Sequence, residues 1–253
     1  MSASSHFYCI SHAPCPWPLP EFMTVIGTGD YRPANGIAMA ERFPHLAHQN
    51  RHLGEYVALY AIRQMLLESN AEGFVGLCHY RRFALSKPIG ELRGFNFHAH
   101  PDLLATVLPE HYYHDGATPI IPAMVHFQGN IMQQYGANAI VRDLLKFFGD
   151  AVDCGVITDA ESTAFLSQNA FITAPTVSYI PIPWFVDIVH ALEKVMSRFY
   201  RNHYIEREGY LERSMAFSCE RLQALLLAKK VNAWGWDKVI SQPLTLLIPP
   251  AQP

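Results

Sequence analysis

The sequence contains no uninterrupted run of the roughly 18 apolar residues that a membrane-spanning helix requires. Its opening, MSASSHFYCISHAPCPWPLP, lacks the basic stretch followed by an apolar stretch that marks a secretory leader. The chain is therefore expected to be neither inserted nor exported. Cysteine is scarce and poorly arranged for bonding: Cys9, Cys15, Cys78, Cys154 and Cys219 are odd in number and hold no CxxC pair. This argues against a disulfide framework or a structural zinc knot and fits a reducing cytoplasm. There is no excess of positive charge, since 19 Lys and Arg stand against 22 Asp and Glu for a net charge of −3. A broad nucleic-acid-binding surface is thus not expected, and an anionic ligand would have to be met by a local group of arginines. GTGDYR lacks the third glycine of a dinucleotide fingerprint, and neither a Walker sequence nor a G-x-S-x-G elbow occurs.

What is present describes an ordinary globular chain. Half of the 253 residues are hydrophobic and 16% are charged, without repeats, linkers or low-complexity tracts, so a single domain over 1–253 is expected. HFYCISH (6–12) and FMTVIG (22–27) read as strands separated by a proline-rich loop. From about Arg51 to Ser69, Ala58, Ile62, Met65 and Leu66 share a helical face. FVGLCH (74–79) follows as a strand apolar on both sides, typical of a sheet centre covered by helices. Pro101 opens a short helix, and TPIIP (118–122) and AFITA (170–174) read as further strands. A helix through Val141, Leu144, Leu145 and Phe148 is expected to stop at Gly149, and Thr158 with Glu161 has capping-box spacing. Two long helices follow, lined by Phe185, Ile188, Leu192, Val195 and Phe199, then by Met215, Cys219, Leu222 and Leu226. Alternating strands and helices imply an α/β fold with a mostly parallel central sheet, whose ligands bind beyond the carboxyl ends of the strands.

The most informative stretch is EGFVGLCHYRRFALSK, in which the apolar strand ends in His79, Tyr80, Arg81 and Arg82. An arginine fork matches carboxylate or phosphate oxygens two at a time, so adjacent arginines at a strand end suit an oxyanion such as a diphosphate. In an extended chain His79 and Arg81 face one way and Tyr80 and Arg82 the other; a turn is needed to bring all four to one ligand. The alternative is that both arginines pair with acidic residues on neighbouring helices and His79 is a hydrogen-bonded core residue.

The run GEYVALYAIRQMLLESNAEGFVGLCHYRRFAL resembles the bacterial family of domain of unknown function 4422, found in capsular polysaccharide and O-antigen biosynthesis, with its E-L-T-A-L-Y helix and H-Y-R-R strand end. YCISHAP, DGATPIIP, QQY, NAFITA and FSCERL extend the resemblance over most of the chain. The matching positions are Glu55, Ala58, Leu59 and Tyr60, His79 to Arg82, Tyr135, Asn169 with Phe171 and Ile172, and Glu220, Arg221 and Leu222. Val57, Ala61 and Ala13 depart from the pattern.

The resemblance implies a GT-A-like glycosyltransferase that uses a nucleoside diphosphate sugar, galactofuranose in one such domain. It would act on a glycan or lipid-linked glycan acceptor, at the inner face of the cytoplasmic membrane where the acceptor is lipid-linked. Most GT-A enzymes hold the diphosphate through a divalent cation on an Asp-x-Asp motif, whereas no two aspartates here lie two positions apart. HYRR stands in the corresponding place, so arginine charge is expected to replace the metal, with no other cofactor.

On this basis Arg81 and Arg82 are candidates to neutralise the leaving group and Glu220 to act as general base, with Asp187 as the second choice. His79, Tyr80, Tyr60, Ser11, His12, Asn169 and Arg221 are candidate substrate contacts, and Glu55 would orient an arginine. The rival of another class is a nucleotide-sugar- or carbohydrate-binding module that has lost turnover. His98, His100, His111 and His114 invite a metal reading but lack an acidic partner at a firm spacing. Cys78 beside His79 is discounted as a nucleophile, because consecutive strand residues face opposite ways.

Overall fold

The computed structural model describes residues 5–248; the first four residues of the segment read for a leader lie outside them. The strand Phe74–His79 is the centre of the molecule. Its neighbour Ser5–Ser11 pairs with it in parallel, followed outward by Met23–Gly27 and Gly36–Ala38, both also parallel. On the other side Ser178–Pro181 runs antiparallel, and beyond it lie Ile120–Pro122 and Ile240–Gln242. A second wing continues from the end of the central strand through Arg82–Phe83, Thr245–Leu247, Asn96–Ala99 and Glu91–Arg93, completing an 11-stranded sheet. The fold is thus α/β, with a mixed sheet that is parallel around its first strands and antiparallel where Ser178–Pro181 enters.

The centre is apolar on both sides because both faces are covered. Val75 and Leu77 join Ile10 and Ile26 under the helices Tyr56–Glu68, Val141–Asp153, Ile182–Asn202 and Ser214–Trp234. Cys78 joins Phe7, Cys9, Met23, Tyr112 and Tyr179 in a separate core beneath loops on the opposite face. Gly76 is required there, since a Cβ would run into the Phe7 ring.

Three local outcomes differ from expectation. The helix expected over 51–69 is broken: Asn50–Leu53 ends at Gly54, whose φ of +54° and ψ of −129° suit glycine alone, and Tyr56–Glu68 starts afresh. The helix Val141–Asp153 runs through Gly149, beside which a side chain would meet only open space; it gives way at Gly155, where φ is +67°. Ala170–Ile172 pairs with Met124–His126 in a separate two-stranded sheet and does not join the main one. The Thr158–Glu161 capping box forms as expected, opening the helix Asp159–Ser167.

Candidate functional site

The carboxyl ends of the parallel strands Ser5–Ser11, Met23–Gly27 and Phe74–His79 open on one cleft of about 220 Å³. The HYRR residues reach it together because the chain turns there: His79 pairs antiparallel with Arg82, and the turn passes over Tyr80 and Arg81. Three residues hold the turn. The indole of Trp17, in the proline-rich loop after the first strand, donates to the Tyr80 carbonyl at 2.8 Å and stacks on the Tyr80 ring, and His12 meets that ring edge-on. The Leu247 amide donates to the Arg81 carbonyl at 2.9 Å. All four HYRR residues line the cleft, together with Ser11 and His12. Ser11 is buried, and its hydroxyl donates to the Ala13 carbonyl at 2.5 Å.

Charge in the cleft is predominantly positive. Arg81 lies over the Tyr80 ring, its guanidinium carbon 5.8 Å from the centroid, and neither Arg81 nor Arg82 forms a side-chain hydrogen bond or ion pair among the described residues. A third arginine, Arg213, projects from the position preceding the helix Ser214–Trp234 and is also without such a partner among the described residues. Its neighbour Glu212 accepts from Nε and Nη2 of Arg51, both at 2.8 Å, which balances the charge of that carboxylate. No local pattern announces Arg213, because it reaches the cleft through tertiary packing.

Glu55 is the counterweight. The break at Gly54 delivers it to the cleft, where Thr176 Oγ1 donates to its Oε1 at 2.7 Å and His79 Nε2 lies 3.0 Å from its Oε2. The His79 contact is close but poorly aligned for a hydrogen bond, and attraction there depends on a protonated imidazole. Burial pushes the Glu55 carboxyl up, but His79, the Thr176 hydroxyl and the Arg82 charge together outweigh it and hold it below the ordinary value of 4.5. A mouth-facing part of the side chain, 32% exposed, remains open to solvent despite dense surroundings.

A smaller groove of about 190 Å³ adjoins this cleft and shares Arg82 with it. Glu220 lines the groove with Asn96 and Thr173. Its Oε1 accepts from the Ala174 amide at 3.0 Å, holding that residue in a left-handed conformation, and its Oε2 pairs with Arg221 at 2.6 Å. Arg221 is itself buried between the rings of Tyr135 and Phe171 and donates to Gln134 at 2.8 Å. It therefore positions Glu220 and lies outside the cleft lining. Glu55 and Glu220 both brace the loop after Ala170–Ile172, one at Thr176 and the other at Ala174.

Other sequence candidates are placed elsewhere. Asp187 lies near the start of a helix whose Ile182 amide bonds Gly73, at the opposite end of the central strand, and pairs with Lys230 at 2.6 Å. Asn169 is exposed just before the strand Ala170–Ile172 and lines neither the cleft nor the groove. Tyr60 lines a different cavity. Among the described residues no three His, Cys, Asp or Glu side chains converge as metal ligands; the His100 ring instead accepts from the Asp102 amide. Burial and the neighbouring Cys9 push the Cys78 thiol well up, so it stays protonated. No helix among the described residues is long and apolar enough to cross a membrane.

No family model and no curated protein matches the chain. Among solved structures it is similar to a bifunctional glycosyltransferase, WbbM, in its apo form, with a TM-score of 0.77 and 14% identity. The likeness covers 96% of this chain and 45% of the other, so this chain spans less than half of that protein. At this identity the likeness establishes the fold, an α/β architecture of GT-A type.

Proposed function

We propose that the chain is a nucleotide-sugar-dependent glycosyltransferase whose donor diphosphate binds in the cleft of HYRR. The observation that carries this reading is the convergence of Arg81, Arg82 and Arg213 on one cleft with no side-chain hydrogen bond or ion pair to any of them among the described residues. Three guanidinium groups gathered at a cleft beyond the carboxyl ends of parallel strands suit a ligand with several phosphate oxygens. The HYRR resemblance and the fold of a solved glycosyltransferase support the same reading.

In the proposed reaction an acceptor hydroxyl oxygen attacks the anomeric carbon and forms the new glycosidic bond. The bond from that carbon to the β-phosphate oxygen breaks, and the nucleoside diphosphate departs with the electron pair. The arginines stabilise the charge that develops on the leaving group, the role a divalent cation fills elsewhere. Glu220, in the adjoining groove across Arg82, receives the hydroxyl proton. Glu55 orients His79 and Arg82. The acceptor is a glycan, free or lipid-linked, of a bacterial surface polysaccharide.

The test is release of nucleoside diphosphate from uridine, guanosine and cytidine diphosphate sugars, with glycoside acceptors and with or without chelator. A charge-assisted hydrogen bond contributes about 1.5–3 kcal/mol, so Arg81→Ala should slow transfer roughly ten- to a hundredfold. Undiminished turnover in Arg81→Ala would remove the leaving-group role. Loss of turnover with chelator would overturn the metal-free mechanism, and nucleotide binding without release would identify a non-catalytic module.

A further inference from the structure

The groove beside the cleft holds more than Glu220. Asn96 and Thr173 also line it, and neither side chain forms a hydrogen bond among the described residues. Both residues are partly exposed, so their polar groups are open to a ligand. Glu220 keeps 28% of its side chain exposed even though Ala174 and Arg221 each hold one of its oxygens. Leu244 and Leu246 supply an apolar part of the lining. The volume of about 190 Å³ is roughly six times the ~30 Å³ share of one water, which is room for a single ring with the rest of a chain left in solvent.

Phe95 lies next to this groove. Arg93 pairs with Asn96 across a tight hairpin, so Gly94 and Phe95 form its turn and Phe95 directly precedes a lining residue. Turn chemistry accounts for Gly94, whose φ is +61°, but makes no demand for an aromatic residue after it. Phe95 is nonetheless 59% exposed, and its ring is supported from within: it meets Phe127 at 6.4 Å, Phe127 stacks on Phe171 at 5.3 Å, and Phe171 faces the guanidinium of Arg221, which holds Glu220. A row of rings thus joins the exposed turn to the candidate base. The charged groups of the groove are already engaged, since Arg82 also lines the donor cleft and Arg221 balances Glu220. An exposed ring face beside a free amide and a free hydroxyl matches a sugar, which carries C–H groups on one face and hydroxyls at its edge. We propose that the groove is the acceptor subsite, in which the terminal sugar of the acceptor glycan lays its apolar face on Phe95, bonds to Asn96 and Thr173 through hydroxyls and directs one hydroxyl at Glu220. Phe95 and Asn96 then determine which sugar is accepted. The choice of a glycan as occupant rests on the transferase reading; the position of the groove beside an exposed ring does not.

Saturation-transfer NMR titrations of the full chain with methyl glycosides of galactose, glucose, mannose and N-acetylglucosamine test this, with the rise in Tm caused by uridine diphosphate measured on the same variants. At least one glycoside should bind saturably. Phe95→Ala and Asn96→Ala should each weaken it about three- to tenfold, the loss of one aromatic contact or one hydrogen bond, and Phe95→Trp should retain it. Phe95 sits at an exposed turn, so its replacement spares the fold. Neither residue lines the cleft, so the rise in Tm with uridine diphosphate should be the same in all three variants. Where transfer is measured, both alanine variants should raise the acceptor KM more than they lower kcat. The proposal is overturned if no glycoside saturates, or if either alanine variant binds glycoside as tightly as the parent chain. Absence of a Tm rise with uridine diphosphate would count against the cleft reading alone; glycoside binding that weakens in Phe95→Ala would then still identify the groove as a sugar site.

Discussion

Glu55 is a carboxylate kept ionised in a place that penalises charge, and the Thr176 hydroxyl is one of the groups that make this tenable. Because its folded value lies below 4.5, the ionised group contributes stability that is present above that pH and is lost as the pH falls through the lower folded value. Thr176→Val keeps the shape and removes the donor. It should cost about 1.5–3 kcal/mol at pH 7, the range for a hydrogen bond to a charged group. Denaturant unfolding at pH 7 and at successively lower pH distinguishes the cause: the penalty should shrink as the pH falls through the folded Glu55 value, and the acid transition should move to higher pH in the variant. A penalty that does not change with pH would mean that the threonine acts by packing alone. Sequence offered the HYRR side chains through their place at the end of an apolar strand and Glu55 through a resemblance, but Thr176, Trp17 and Arg213 carry no local signal. Each is joined to the site by packing between distant segments.

At the scale of elements, long periodic segments were the legible ones. Tyr56–Glu68, Ile182–Asn202 and Ser214–Trp234 each bury a face long enough to read in the sequence. Ser178–Pro181 was not legible although it lies beside the central strand: it spans four residues, ends in proline and runs directly into a helix with Pro183 in its first turn. Ile240–Gln242 and Thr245–Leu247 are shorter still and flank Pro243. The break at Gly54 was hidden by apolar periodicity that continues across it, yet it sets where Glu55 enters the cleft. Gly54→Ala forces a side chain into a conformation that costs of order 1–3 kcal/mol even though no neighbour crowds it. Thermal unfolding should report that loss. If the break also positions Glu55, transfer by the folded variant should fall, and a stability loss with full activity would limit Gly54 to a structural role.

Taken whole, the molecule carries a net charge of −3 yet gathers Arg81, Arg82 and Arg213 at one cleft beyond the strand ends, so any attraction for anions is local. The antiparallel entry of Ser178–Pro181 and the second wing after Arg82 give that edge two adjoining openings: the cleft, and the groove that holds Glu220. A ligand that binds only the folded chain stabilises it by mass action, about 2.7 kcal/mol at a hundred times its Kd. For a chain of this size that corresponds to a rise in Tm of roughly 5–10 °C, taking about 2–4 °C per kcal/mol. Uridine diphosphate should produce such a rise without added metal, and each of Arg81→Ala, Arg82→Ala and Arg213→Ala should reduce it. Because the arginines meet the ligand at a partly open cleft, raising the salt from 0.05 to 0.5 M should shrink the shift by screening. A shift that ignores salt and all three substitutions would place the nucleotide elsewhere in the molecule.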